Sequence, residues 1–350
     1  MTKTHKILSA FAGLALLATC ACSSTPAPSG APGGAASCTG DTAQKVFKLA
    51  FNQTDQHPQF KAAVEFGNRL AKATECRYGI KAYANEQLGA QADVVNNVSD
   101  GSVELMYIGG PVMESFNPDL VVFNLPYVFA SIEAQREVFA DEAVMGDLKK
   151  SIEGSKNITI LGALHAGVRN VYNSKQAVRT PADLAGMKLR VQQSESQVKM
   201  IELMGAIASP MAQGEVYSAI QTGVLTGAEN NETVFNALKH DEVAKYYSYT
   251  RHLMIPDYLL MSTKALQGMP EADRNALMTL VPEIIKLADD GFQTFVAESI
   301  ERSKAAGAQF NDDVDVDAFK AAVQPLVNES ISNEVRKALY QAVQTANAKH

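Results

Sequence analysis

The alternation of apolar and polar residues in the first half of the chain predicts strands separated by helices. The stretch VFKLAFN (46–52) is a short, apolar-rich strand. YGIKAYA (78–84) predicts a second strand, QLGAQADVVNNVSDGS a helix, and VELMYIG (103–109) a third strand. Between the first two strands lies a helix whose core face has the spacing Phe60, Ala63, Val64, Gly67 and Leu70. Strands that alternate with helices are typical of a parallel α/β sheet with crossover connections.

The second half of the chain continues this pattern and then becomes helical. NITILGALHAG, GMKLRVQ and GVLTGAEN predict further strands. From residue 271 onward the sequence is mainly helical, and Pro282 marks the expected position of a kink in the first long helix. Such a chain is expected to form two α/β lobes, with a cleft where the loops at the carboxyl ends of the strands meet.

The N-terminal residues have the features of a leader and a tether. Residues 1–19 contain lysines followed by an apolar stretch too short to span a bilayer, which predicts a signal peptide. The following LLATCACSS resembles the bacterial lipoprotein box, in which a cysteine is lipidated, with Cys20 favoured over Cys22. Residues 20–40 are then a flexible, lipid-anchored tether rich in Ser, Pro, Ala and Gly. These features predict a periplasmic domain that is anchored to a membrane.

The composition excludes several classes of function. The chain is 46% hydrophobic and 20% charged, with a formal net charge of −7. No basic run with interleaved aromatic residues is present, so nucleic acid is not an expected partner. Because the motifs of serine hydrolases, nucleotide-binding loops and zinc proteases are absent, we expect neither an enzyme nor a cofactor nor a bound metal. His240 and His252 flank a predicted strand and are expected at the surface.

Two cysteines beyond the leader are candidates for a disulfide. Cys38 opens the ordered region and Cys76 follows the first predicted helix. The periplasm is oxidising, and a bond between these residues would attach the tether to the folded body. The alternative is two free, buried thiols.

An arginine interrupts the apolar pattern of one predicted strand. In GMKLRVQQSES, Arg190 lies between Leu189 and Val191, which predict a buried position. A guanidinium keeps its proton, and its burial is unfavourable without a partner. That partner is either an acidic side chain of the same chain or an anion from solution.

The stretch from residue 161 to residue 262 resembles the solute-binding proteins of TRAP transporters, the tripartite ATP-independent periplasmic systems. The resemblance rests on GVRNVYNSKQAVRTPADLAGMKLRVQQSESQ and MGAIASPMAQGEVYSAIQTGVLTGAENN, and upstream on NEQLGAQADVVNNVSDGSVELMYIG and FNLPYVF. It extends over residues 46–345. It implies a two-lobe receptor that closes on a small organic acid and passes it to membrane permease subunits, with one long helix across both lobes.

The chain of such a receptor crosses between its lobes more than once. We therefore expect lobe I to contain residues 41–166 and 256–295, and lobe II to contain residues 167–255 and 296–350. We expect a monomer. A sensory role, in which the liganded receptor docks on a membrane receptor kinase, is the alternative to transport.

The resemblance also implies site residues. In relatives, the arginine of the G-x-K-[IL]-R-V motif pairs with the ligand carboxylate, and that position is Arg190 here. Arg169 matches a second arginine near the cleft, although an interdomain salt bridge would also explain it. Asn230 matches an asparagine that hydrogen-bonds the ligand, or is a turn residue. Asn52 matches a polar contact, and Gln213 lies where several members carry an aromatic residue that stacks on the ligand.

The segment HDEVAKYYSYTRHLMIP resembles the branch of the family whose members bind uronates and related sugar acids. A six-carbon sugar acid would offer one carboxylate to Arg190 and several hydroxyls to amide side chains. Glu114 is either an acceptor for those hydroxyls or a surface residue, and His57 is either a ligand contact or a turn residue. A C4-dicarboxylate, or a short hydroxy or keto acid, is the alternative ligand class.

Overall fold

The computed structural model describes residues 38–350, so the predicted signal peptide, Cys20, Cys22 and most of the tether lie outside the described residues. The strands are β1 (Lys45–Ala50), β2 (Tyr78–Tyr83), β3 (Leu105–Gly109), β4 (Ile158–His165), β5 (Arg169–Asn173), β6 (Lys188–Val191), β7 (Ile207–Pro210), β8 (Gly227–Asn230), β9 (Tyr246–Leu253), β10 (Pro256–Ser262) and β11 (Gln309–Asn311). The helices are α1 (Pro58–Ala73), α2 (Gln91–Asp100), α3 (Gly110–Met113), α4 (Ile132–Ala140), α5 (Glu142–Lys156), α6 (Glu195–Leu203), α7 (Val216–Gln221), α8 (Glu232–Ala237), α9 (His240–Val243), α10 (Thr263–Gln267), α11 (Glu271–Ala305), α12 (Val316–Ser330) and α13 (Glu334–Asn347). Short 3₁₀ helices occupy Pro118–Asn124, Pro181–Leu184 and Gln213–Glu215.

A five-stranded sheet in the order β2-β1-β3-β10-β4 forms the centre of lobe I. Phe47 and Leu49 of β1 are fully buried and share a hydrophobic core with Phe66 and Leu70 of α1. Val64, which the sequence places on the core face of this helix, is 42% exposed. The buried face of α1 is thus rotated toward Phe66, since that side packs on the sheet.

A six-stranded sheet in the order β11-β9-β5-β8-β6-β7 forms the centre of lobe II. β6 runs parallel to both β7 and β8, and its Leu189 and Val191 are fully buried, as the sequence predicts. β5 runs antiparallel to β8 and β9.

The expectation of purely parallel sheets is wrong, because both sheets are mixed. In lobe I, β10 runs antiparallel to β3 and β4. The chain leaves lobe I after β4 and returns to it directly through β10, with only residues 254–255 between β9 and β10. Because β10 enters the lobe I sheet at the edge where β4 leaves it, the two strands run in opposite directions. Parallel neighbours would need a long crossover connection.

The helix α11 connects the two lobes. It is 35 residues long and continues through Pro282, the position of the predicted kink. It packs against α1 and β4 of lobe I and against α8 of lobe II. Within residues 38–350, no helix combines the length and the apolar composition that a membrane span requires.

The two C-terminal helices also contact both lobes. α12 packs against α6 and β9 of lobe II, but α13 packs against α4 of lobe I. Arg336 of α13 donates from Nε to Asp119 Oδ1 at 2.8 Å, and Asn347 donates to the carbonyl of Val128. The end of the chain, expected in lobe II, therefore contacts both lobes.

A disulfide joins Cys38 to Cys76. Next to it, the backbone N–H of Gln44 donates to the Cys76 carbonyl at 2.8 Å, and that of Lys45 donates to the Arg77 carbonyl at 3.0 Å. The bond and these contacts attach the segment before β1 to the segment after α1.

We expect reduction of this disulfide to lower the free energy of unfolding by about 4 kcal/mol, because the bond restricts a loop of unfolded chain between residues that are 38 positions apart. Urea unfolding with and without dithiothreitol would measure the loss. A Cys38→Ser/Cys76→Ser variant should unfold at the same urea concentration with and without dithiothreitol. An unfolding midpoint of the wild type that is insensitive to reductant would contradict the prediction.

Candidate ligand-binding site

The carboxyl ends of three parallel strands bring the predicted site residues of lobe II together. Arg190 lies near the end of β6, Asn230 is the last residue of β8, and Gln213 follows shortly after β7. Because β5 runs in the opposite direction, its first residue, Arg169, lies at the same edge of the sheet. Edges of this kind commonly carry the ligand sites of α/β proteins.

Arg169 is neutralised within lobe II by Glu229. Its Nε donates to Glu229 Oε2 at 2.5 Å and its Nη2 donates to Oε1 at 2.6 Å, and both side chains are buried. Although burial raises the pKa of the Glu229 carboxyl, Arg169 and His252 together lower it to about 2. Arg169 thus forms a salt bridge, which was the alternative to ligand binding, but its partner lies in the same lobe and not in the other one.

Arg190 is a buried cation with neutral partners. It is 4% exposed, its Nε donates to the Met211 carbonyl at 3.0 Å, and its Nη1 donates to Gln213 Oε1 at 3.1 Å. In the part of the chain that the structure describes, no carboxylate lies within salt-bridge distance of its guanidinium. Burial and the nearby Arg169 lower the pKa of Arg190 to about 10, which still leaves it charged at neutral pH.

Asn230 and Gln213 join the two arginines in one hydrogen-bond network. Asn230 Oδ1 accepts from Arg169 Nη1 at 3.0 Å, and Asn230 Nδ2 donates to Gln213 Oε1 at 3.5 Å. The same oxygen of Gln213 accepts from Arg190. The neighbouring Asn231 instead caps α8 by accepting from the Val234 N–H.

Arg190 lines a small cavity between the lobes. Glu86, Gln91 and Val112 line this cavity from lobe I, and Gln192 and Gln213 line it from lobe II. Gln192 Oε1 and Gln213 Nε2 are buried and have no hydrogen-bond partner among residues 38–350. An unpaired acceptor and an unpaired donor therefore belong to side chains of the cavity wall.

The two lobes approach each other closely at the cavity. A Cβ at Gly109 of lobe I would overlap Gln192 Nε2 of lobe II, so the Gln192 side chain would have to shift. Glu86 Oε2 of lobe I accepts from the Gly214 N–H of lobe II at 2.9 Å. Glu86 is a cavity residue without a sequence signal, because it is one acid in a polar turn.

Of the seven predicted ligand contacts, Arg190 and Gln213 line this cavity. The other five do not: His57, Asn52, Arg169, Asn230 and Glu114. His57 is the N-cap of α1, where its Nδ1 accepts from the Gln59 N–H at 3.2 Å, and its ring packs against Phe292 and Phe295 of α11. Its position fits the turn-residue alternative. Asn52 is half-buried in the turn after β1.

Glu114 joins the two lobes outside the cavity. Its carboxylate accepts from Ser194 Oγ and Ser196 Oγ of lobe II, both at 2.8 Å, and from Asn124 Nδ2 of lobe I at 2.9 Å. It borders a second, wider depression that meets the cavity at Gln193. Glu114 is therefore neither a free surface residue nor a neighbour of Arg190.

The expectation of surface positions for His240 and His252 is wrong. Both side chains are buried. Tyr172 OH lies 2.6 Å from His240 Nδ1, and His252 Nε2 lies 3.4 Å from Glu229 Oε2. These contacts connect separate segments of lobe II, which the local sequence does not reveal. Within the described residues, no group of three or more His, Cys, Asp or Glu side chains is arranged to hold a metal ion.

Two sheets, a helix that spans both lobes and a cavity between the lobes define this chain as a two-lobe solute-binding protein. Residues 49–347 match the family described as DctP, bacterial extracellular solute-binding protein, family 7. The uncharacterized protein YiiZ of Salmonella typhimurium is 34% identical over 87% of this chain and 92% of its own length. The chain therefore belongs to the DctP family, the solute-binding proteins of TRAP transporters, as the sequence predicts.

Solved structures of the family share this fold. A TRAP periplasmic solute-binding protein from Anaerococcus prevotii, crystallised with α/β-D-glucuronate, has a TM-score of 0.84 and 33% identity over 88% of this chain and 99% of its own. A counterpart from Sulfitobacter, crystallised with β-D-galacturonate, has a TM-score of 0.82 and 31% identity over 86% and 99%. The predicted two-lobe α/β architecture is confirmed.

We expect the free energy of unfolding to fall as the pH is lowered from about 7 to about 4. Burial lowers the pKa of His57 and of His240 to about 3 and that of His165 to about 4. An unfolded histidine has a pKa near 6.5, so below that pH only the unfolded chain takes up these protons. Each residue then contributes a loss of up to about 1.4 kcal/mol per pH unit, measurable by urea unfolding at several pH values.

A His57→Asn variant tests the origin of this slope, because asparagine keeps a capping acceptor at the start of α1. Its stability should fall less steeply with pH than that of the wild type, whatever the packing loss at neutral pH. Parallel pH profiles of the two proteins would be inconsistent with this explanation.

Proposed function

We propose that this chain is the extracytoplasmic receptor of a TRAP transporter for a hexuronate, whose carboxylate binds Arg190. The single observation that carries the proposal is the buried guanidinium of Arg190 in an interlobe cavity, with no carboxylate of the described chain as its partner. Since a buried cation without an anion is unfavourable, a bound carboxylate stabilises the arrangement in which the lobes surround it.

The chemistry of the cavity wall supports a ligand with both a carboxylate and hydroxyl groups. A guanidinium has a planar set of donors that matches a carboxylate. Gln192 Oε1 and Gln213 Nε2 add an unpaired acceptor and an unpaired donor, which suit hydroxyls because a hydroxyl both donates and accepts. Asn230 and Arg169 complete the network, and Asn52 is an additional polar contact in this proposal.

The ligands of related proteins support the same class. The relatives from Anaerococcus prevotii and Sulfitobacter were crystallised with glucuronate and galacturonate. Both ligands are six-carbon sugars with one carboxylate.

Closure of the lobes is the signal that the permease would recognise. Glu114 stabilises the closed form by accepting from Ser194 and Ser196 across the lobes. Residues 41–166 and 256–295 form lobe I of this receptor, and residues 167–255 and 296–350 form lobe II, apart from the contacts of α13 with lobe I.

The receptor acts in the periplasm as a monomer without catalytic activity. Residues 1–19 target it for export, and Cys20 or Cys22 carries a lipid that anchors the tether of residues 20–40 to a membrane. A tethered receptor stays close to its permease, which raises the effective concentration of one for the other.

We expect Arg190→Ala to weaken the binding of D-glucuronate and D-galacturonate by about 100-fold or more, because the variant loses a buried, charge-assisted pair. Arg190→Lys should give intermediate affinity, since it keeps the charge but loses the planar fork. Isothermal titration calorimetry would measure both.

The matched control is Arg179→Ala, which removes a lobe II arginine that is largely exposed and paired with Asp313. It should leave affinity unchanged. Binding by Arg190→Ala as tight as that of the wild type would remove Arg190 from the site.

We expect Glu114→Gln and Ser196→Ala each to weaken hexuronate binding by several-fold. The first change removes the charge of the acceptor and the second removes the donor of the hydrogen bond between Ser196 and Glu114, which joins the two lobes. The double variant should bind almost as well as the weaker single variant, since both changes act on the same contact. Calorimetry on the four proteins completes the cycle. Fully additive losses, or no loss, would refute a role for this contact in closure.

A further inference from the structure

Glu86 places a carboxylate in the cavity of a protein that binds anions. It lies in the turn between β2 and α2 of lobe I, is half-buried, and lines the cavity that contains Arg190. Its Oε2 accepts from the Gly214 N–H of lobe II at 2.9 Å. A negative charge at this place opposes the binding of anions in general, so a specific role must offset that effect.

The backbone of this turn holds Glu86 in place. Asn85 and Glu86 have φ values of 54° and 55°, a conformation that residues other than glycine adopt at some energetic cost. The N–H of Asn85 donates to the Gln53 carbonyl at 2.8 Å, and the N–H of Glu86 donates to the Phe51 carbonyl at 3.1 Å. These bonds attach the backbone of the turn to the residues that follow β1, and the contact with the Gly214 N–H orients the carboxylate.

Among the described residues, the cavity offers one cation to a ligand carboxylate. Glu229 already neutralises Arg169, which leaves Arg190 as the cation that lines the cavity within the described residues. Burial raises the pKa of the Glu86 carboxyl above its usual value, and the Gly214 N–H and the charge of Arg190 offset part of this rise. One ligand carboxylate on Arg190 finds a cation, but a second carboxylate in the same cavity meets Glu86 and no further cation.

We propose that Glu86 selects sugar acids that carry a single carboxylate. Its carboxylate accepts hydrogen bonds from ligand hydroxyls, which lack charge, and repels the second carboxylate of a diacid of the same length. This inference rests on the proposed function, because it assumes that the ligand carboxylate occupies Arg190. It makes Glu86 a specificity-determining residue for hexuronates over the corresponding hexarates.

The test compares D-galacturonate with galactarate, the six-carbon diacid of the same hydroxyl configuration. Calorimetry on the wild type and on Glu86→Gln gives the ratio of the two dissociation constants for each protein. The amide keeps the size of the side chain and removes its charge, so we expect the preference for the monoacid to fall by about tenfold or more. Differences in ring closure between the two ligands affect both proteins equally and cancel in the comparison.

Two further variants separate a local effect from a general change in charge. Glu301→Gln removes the same charge from an exposed residue of α11 that pairs with Lys304 and does not line the cavity, and it should leave the preference unchanged. Glu86→Ala also removes the contact with Gly214 and should relax the preference in the same direction as Glu86→Gln.

The outcomes distinguish this inference from the proposed function. If the wild type binds D-galacturonate and Arg190→Ala does not, but Glu86→Gln keeps the wild-type preference, the role of Glu86 is overturned and the receptor function stands. An equal shift in Glu301→Gln would also overturn it. If the wild type binds neither hexuronate nor hexarate, the proposed function fails and this inference fails with it.

Discussion

The interaction on which the rest of this structure depends is the uneven neutralisation of two neighbouring arginines. Arg169 and Arg190 are both buried at one edge of the lobe II sheet, yet Glu229 binds Arg169 while Arg190 has only neutral acceptors. The pair of Arg169 and Glu229 is a fixed part of lobe II. Arg190 keeps a charge that a ligand can neutralise, and because it is held by Met211 and Gln213, its guanidinium is oriented before a ligand arrives.

The fold makes this arrangement possible at the boundary of two lobes. The chain passes between the lobes at residues 166–168 and 254–255, and α11 packs on both. These connections leave the cavity between the two lobes, although one hydrophobic cluster contains residues of both sheets. Glu86 and Glu114 both reach from lobe I to backbone or hydroxyl donors of lobe II. The two lobes therefore share polar contacts, and in the proposed function a ligand carboxylate adds to them.

The sequence singled out three residues of the proposed site but not the residues around them. Arg190, Asn230 and Gln213 are recognisable because a buried strand, a family motif and an unusual substitution each carry a local signal, and one network contains all three. Glu86 has no such signal, because an acid in a turn looks the same whether it faces solvent or a cavity. His57 illustrates the opposite case, since a polar residue before a proline resembles a ligand contact until the packing of α11 encloses it.

The sequence alone determined the alternation of strands and helices, the family, and a buried cation in need of an anion. Periodicity and the chemistry of arginine are local properties, so they can be read without coordinates. Only the tertiary structure decided that Glu229 belongs to Arg169 and not to Arg190, that β5 and β10 run antiparallel to their neighbours, and that His240 and His252 are buried. These features depend on contacts between segments far apart in the chain, and the partner of a charge is set by which distant residues the fold brings within a few ångströms.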